Sequence, residues 1–170
     1  MYYKSIYTSP IGNITLACDG KSLVGLWLAG QKHFGATLPE ETEEDDSIPI
    51  FGAAKEWLDR YFSGEKLAVD ELQLAPAGSE FRRQVWEILL EIPYGEVTTY
   101  GAIAKKMVAK MKTESMSGRA VGGAVGHNPI SIIIPCHRVI GSNGSLTGYA
   151  GGVETKMKLL KLEGVDTSKF

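Results

Sequence analysis

Cysteine is scarce in this sequence: Cys18 and Cys136 stand far apart among 170 residues, with no C-x-x-C spacing. That argues against a disulfide framework and a cysteine-rich zinc site, and two reduced thiols point to a cytoplasmic protein. Long apolar runs are lacking too. No uncharged run reaches the roughly 18 apolar residues of a membrane span, and no basic stretch leading into a long apolar core opens the chain. The expectation is a soluble, unexported protein. Internal repeats and low-complexity tracts are also missing, so the 44% of hydrophobic residues must build one large domain or two small ones.

A strong net charge is absent as well, the formal value being -2, but the charge is unevenly spread. Residues 1–80 carry 6 basic and 13 acidic side chains, a net -7. Residues 81–170 carry 12 basic and 7 acidic, a net +5, so the second part is the one suited to approach phosphates. The run from Glu40 to Asp46 reads as a solvated acidic loop and accounts for about half of the asymmetry.

The hydrophobic pattern predicts two small domains of α/β (α+β) class, 1–76 and 77–170, divided at Ala75-Pro76-Ala77-Gly78. Tyr2–Thr8, Ile14–Cys18 and Leu23–Leu28 form an antiparallel meander in this reading. A helix bearing Ile50, Ala53, Ala54, Trp57, Leu58 and Tyr61 covers it, and Leu67–Leu74 is extended. In the second domain Ser79 caps a helix carrying Phe81, Val85, Trp86, Leu89 and Leu90. Thr98 or Thr99 caps the next, with Ile103, Ala104 and Met107 inward, and a Gly/Ala-rich helix follows from about Ser117 to Gly126. Two short helices joined by a turn suggest a helix-turn-helix, winged-helix-like domain. Lys105, Lys106, Lys110 and Lys112 lie beside it. Ile130–Ile134 is an apolar, strand-like run closed by Pro135, Gly141–Gly148 is a loop, and a last helix ends at Gly164.

The chemistry centres on Ile134-Pro135-Cys136-His137-Arg138-Val139. An imidazole and a guanidinium next to a thiol can lower its pKa, and a thiolate attacks carbon. On a strand adjacent residues face opposite ways, so His137 reaches Cys136 through a water or through a bend at Pro135. The bland alternative is a buried, inert cysteine beside a hydrogen-bonded histidine.

This motif, with Arg119-Ala120-Val121-Gly122, Asn128-Pro129 and Gly148-Tyr149 followed by Gly151-Gly152, resembles the O6-alkylguanine-DNA alkyltransferases, also called methylated-DNA-protein-cysteine methyltransferases. The resemblance spans the second domain, while the first is similar only in general pattern. It implies single-turnover repair of double-stranded DNA by a monomer, without metal or cofactor. In this resemblance Cys136 is the alkyl acceptor, His137 deprotonates it through a water, Glu163 orients the histidine, and Asn128 is the hinge asparagine. Tyr100 helps rotate the nucleotide and donates to the departing base, while Tyr149, Val139, Ala150 and Gly151 line the guanine pocket. Arg119 fills the gap in the duplex, and Ala120, Gly122, Gly123 and Ala124 let the helix lie close to DNA.

Two departures stand out: extra, basic residues between Tyr100 and Arg119, and Ser131 and Ala150 where some relatives carry Pro and Ser. The sequence leaves open the range of alkyl groups and whether O4-alkylthymine is repaired. Alternatives are a non-reactive sensor of alkylated DNA and a cysteine hydrolase using Cys136, His137 and Glu163.

Overall fold

The structure is a computed structural model that describes residues 1–146 and 148–170. Thr147, within the loop expected over 141–148, lies outside the described residues. The chain divides into two compact units. One comprises Met1–Ala77 and Pro129–Ile133, the other Gly78–Asn128 and Ile134–Phe170.

The first unit is built on β1 (Tyr2–Ser9), β2 (Gly12–Cys18) and β3 (Leu23–Leu28), antiparallel neighbours as the alternating apolar pattern predicts. A fourth strand, β4 (Thr42–Glu44), pairs parallel to β1, giving the order β3-β2-β1-β4. The sheet is therefore mixed rather than wholly antiparallel. Part of the acidic stretch read as a solvated loop is an edge strand, with Lys4 Nζ 3.9 Å from Glu44. Its carboxylates discourage further edge pairing.

Helix α1 (Pro49–Phe62) packs on this sheet through Phe51, Ala54, Trp57, Leu58 and Tyr61. Phe51 takes the inward place expected of Ile50 and Ala53, and Ala53 is exposed. Pro49 suits the first turn because its missing N–H has no partner to lose there. Within β3, a Cβ on Gly25 would lie 2.2 Å from the Trp27 ring, so the indole folds over a position only glycine leaves open.

Two expected extended segments are not strands. In 67–74 only Leu74 bridges, beside Leu23, because Trp57 Nε1 holds Ala68 O at 3.0 Å and a turn closes from Leu72 N to Val69 O. In 130–134 only Ile130 bridges, beside Leu26. These two contacts cover the free edge of β3 at Leu23 and at Leu26.

Unit two is mainly helical: α2 (Glu80–Leu90), α3 (Tyr100–Met111), α4 (Gly118–Gly126) and α5 (Val153–Leu162). Short strands β5 (Thr98–Thr99) and β6 (Val139–Ile140) pair in parallel. Ser79, Thr99 and Ser117 each accept a first-turn N–H, from Arg82, from Ala102, and from both Arg119 and Ala120. Such caps stabilise each helix by about 1 kcal/mol. Trp86 is the centre of this core: its Nε1 donates to Ala124 O at 2.8 Å, pinning α2 to α4. Val85, Leu89, Ile103, Met107, Val121 and Val125 are buried with it.

Candidate active site and nucleic-acid face

Backbone geometry decides how the cysteine motif is presented. Ile133 N bonds Ser131 O across Ile132, whose φ is 70°. A buried β-branched residue at positive φ is strained by about 1–3 kcal/mol. Pro135 then sits at φ -81° and ψ 64°, with Cys136 N bonding Ile134 O at 2.8 Å, an inverse γ-turn. One 3-10 turn follows over Cys136–Arg138. With three residues per turn the side chains of Cys136, His137 and Arg138 fan out instead of alternating. The apolar run before the thiol is thus a pair of tight turns, not a strand, and the backbone bends at Pro135.

His137 is fully buried and its Nε2 donates to Glu163 Oε2 at 2.6 Å. The other oxygen, Oε1, accepts from Arg138 Nε at 2.8 Å and from Gly95 N at 3.0 Å. Burial alone raises the Glu163 carboxyl, but the hydrogen bonds and charges of His137 and Arg138 outweigh it and hold the group well below the usual carboxylate range. Burial also pushes the His137 ring below its ordinary value, against the pull of Glu163, so the neutral ring is favoured. With Nε2 as donor, Nδ1 is the basic nitrogen.

Cys136 is 4% exposed. Burial pushes its thiol up to about 11, although the Asn128 side chain, the Lys156 charge and the N–H groups of Cys136 and His137 pull it down. The low thiol pKa expected from adjacency is therefore not found. The neighbouring cations are turned elsewhere: Arg138 spends its guanidinium on Glu163 and Ile92 O. At rest Cys136 is a thiol.

Asn128 Nδ2 donates to Ile134 O at 2.8 Å, tying the end of α4 to the turn that carries the cysteine. Tyr149 is buried, and among the described residues its hydroxyl has no hydrogen-bond partner. Burial and the Cys136 charge raise its pKa well above the ordinary value, and raise that of Tyr100, so both phenols keep their protons. Gly148 has φ 92°, which favours glycine, and a Cβ there would lie 3.2 Å from the Tyr100 hydroxyl. Val139 is fully buried, while Ala150 and Gly151 are half-buried.

Lys156, on the last helix, has no site role in the sequence reading. It is fully buried, donates to Val139 O, and has its pKa pushed down to about 8 by burial despite the opposing pull of Cys136. Its signal was present: Lys156 shares a helical face with Leu159, Leu160 and Glu163, where a charge is out of place.

On α4, Arg119, Ala120 and Gly123 are exposed and Gly122 is half-buried. A Cβ on Gly118, Gly122, Gly123 or Gly126 would meet nothing within 4 Å. Among the described residues no contact demands these glycines. Lys105, Lys106, Lys110 and Lys112 are exposed on and just beyond α3, and Lys110 Nζ lies 2.6 Å from Glu87. The first part of the stretch between Tyr100 and Arg119 continues α3, which ends at Lys112, at φ 53°.

Residues 80–165 match the family described as 6-O-methylguanine DNA methyltransferase, DNA binding domain, and residues 1–76 match its ribonuclease-like domain. A methylated-DNA--protein-cysteine methyltransferase of Methanosarcina acetivorans is 47% identical, over 96% of this chain and 99% of its own. One from Haemophilus influenzae is 40% identical, over 95% and 86%. The crystal structure of Mycobacterium tuberculosis OGT in complex with DNA matches with a TM-score of 0.81 and 42% identity, covering 99% of this chain and 93% of that one.

Proposed function

Because the chain belongs to the 6-O-methylguanine DNA methyltransferase family, we propose that it repairs alkylated double-stranded DNA by taking the alkyl group from guanine O6 onto its own Cys136. The observation that carries the assignment to these residues is the buried Cys136 thiol in one unit with the His137–Glu163 pair and the Tyr100 and Tyr149 phenols. Residues 77–170 are read as the DNA-binding and transfer domain and 1–76 as its support.

An O6-alkylated guanine pairs poorly, so turning it out of the stack costs less than turning out a normal base. The α3–α4 pair, read as a winged-helix-like helix-turn-helix, lays the open glycines of α4 against the duplex, and Arg119 fills the vacated space. The base enters beside Tyr149, Val139, Ala150 and Gly151. His137 takes the thiol proton through a water, and Glu163 stabilises the imidazolium that results. The sulfur forms a bond to the alkyl carbon as the carbon–O6 bond breaks, and its electron pair leaves with the base. Tyr100 delivers a proton to the departing guanine, and the thiol's proton restores the balance. A thioether has no easy return, so each molecule acts once. With burial pushing the thiol up to about 11, little thiolate stands ready before the base enters. The site residues offer this route without a metal or cofactor. Two free thiols, Cys18 and Cys136, support a reducing, cytoplasmic setting.

The test is intact-protein mass after incubation with a duplex containing O6-methylguanine. A gain of about 14 Da, saturating at one per chain, mapped to Cys136 and lost in Cys136→Ala, is expected for replacement of S–H by S–CH3. Specific binding with unchanged mass would make the chain a non-reactive sensor instead.

A further inference from the structure

Glu163 sits at the C-cap of α5, the negative end of a helix dipole, and is 5% exposed. Both circumstances oppose a carboxylate there. What holds it is a brace from the turn after α2. Arg138 bridges that turn and the carboxylate, with Nε on Glu163 Oε1 at 2.8 Å and Nη1 on Ile92 O at 2.7 Å. Its guanidinium carbon lies 5.8 Å from the centre of the Tyr94 ring, and the Tyr94 hydroxyl donates to Leu162 O at 3.2 Å. Gly95 N–H completes the grip on Oε1 at 3.0 Å. Gly95 has φ 80°, and a Cβ on it would lie 3.1 Å from Glu163 O, so the approach requires glycine.

We propose that Arg138 is a positioning residue for alkyl transfer: anchored on Ile92 and Tyr94, it fixes Glu163 so that Oε2 faces His137 and commits the imidazole to its Nε2–H tautomer. The inference rests on the alkyltransferase reading above. Arg138 has a specific task because its two donating edges point in two directions, to Glu163 and to Ile92. A lysine can supply the charge but not both bonds. If Arg138 is lost, Glu163 is buried at the negative end of a helix without its cation, and it takes up a proton at higher pH. A protonated Glu163 no longer compels Nε2 to be the donor, and Nδ1 ceases to be the available base. The charged and titratable groups acting on this pair are Arg138 and His137 from the 3-10 turn, Tyr94 from the turn after α2, and Lys156 from α5.

The test measures single-turnover transfer from an O6-methylguanine duplex across about pH 5 to 9, for wild type, Arg138→Met and Arg138→Lys, each also combined with Glu163→Gln. Nitrogen NMR of the histidine side chains reads the His137 tautomer. Arg138→Met is expected to slow transfer by about ten- to a hundredfold with little change in DNA affinity, and to move the acid limb of the profile upward. Arg138→Lys should recover part of the rate, and in the Glu163→Gln background Arg138→Met should add less than about twofold, since residues acting through one another are not additive. The same slowing in both backgrounds, or a wild-type rate and an unchanged His137 spectrum in Arg138→Met, would overturn the proposal. If Arg138→Met does not fold, the spectrum and rate of Arg138→Lys decide in the same way. A wild-type protein that gains no mass would overturn the alkyltransferase reading, and the spectrum would still decide whether Arg138 governs the tautomer.

Discussion

His137 Nε2 and Glu163 Oε2 are 2.6 Å apart, and neither side chain has any exposure to solvent. This pair makes stability fall with acid. Glu163 has a folded pKa below its ordinary 4.5 and His137 one below 6.5, so in both cases the unfolded chain takes up the proton first as pH falls. Their contribution is fully present above about pH 6.5, starts to drain as His137 titrates, and drains further below about pH 4.5. Urea unfolding between neutral pH and pH 4 should show this decline. Glu163→Gln should lose about 3–5 kcal/mol at neutral pH, because Arg138 is left buried without its counter-charge, and should show a flatter acid limb.

Burial of Cys136 predicts poor reactivity in the absence of DNA. With its thiol up at about 11, native protein at neutral pH should be labelled by iodoacetamide far more slowly than an ordinary free thiol. The labelling rate should keep rising through pH 9, where an ordinary thiol levels off. Mass spectrometry of labelled Cys136 against pH checks this. A plateau near neutral pH would mean that the thiolate exists before substrate arrives.

The elements legible in the sequence were those written locally. The Ser79, Thr99 and Ser117 caps each stand where the helix begins, and the Val85–Trp86–Leu89 stripe faces inward. Ile130–Ile134 reads as a strand because an isoleucine-rich run looks the same whether it forms one or is folded into turns by Asn128 Nδ2 on Ile134 O and by Leu26 on Pro129 and Ser131. Leu26 is remote in sequence from this run. The same limit explains Thr42–Glu44, whose pairing with β1 no local pattern announces. Adjacency gives the thiol shift the wrong sign because it says that a guanidinium is near but not where it points, and Arg138 points to Glu163.

The lysines beside α4 differ in their surroundings, and that separates their effects. Lys110 is paired with Glu87 at 2.6 Å, whereas Lys112 is exposed at the end of α3, toward α4. Lys112→Ala should weaken binding equally on modified and unmodified duplexes and lower the salt slope of binding by about 0.9, the release expected for one phosphate contact. Lys110→Ala should leave that slope nearly unchanged. Fluorescence anisotropy across a salt series distinguishes the two.

Gly123→Ala sets fold against function on a single residue. The position lies inside α4, is exposed, and among the described residues beyond its own helix has no atom within 4 Å of where a Cβ would stand. Alanine in a helix interior is favoured over glycine by about 0.5–1 kcal/mol, so the variant should be the more stable protein. If α4 lies against the duplex, the added methyl intrudes where the backbone must approach closely, and affinity for DNA should fall together with the transfer rate at low DNA concentration. Denaturant unfolding and DNA titration of the same preparation read the two effects separately. Gly118→Ala, at the first residue of the same helix, should gain less stability because fewer helical hydrogen bonds depend on it. A Gly123→Ala variant that gains stability and binds DNA as well as wild type would place the contact face elsewhere than α4.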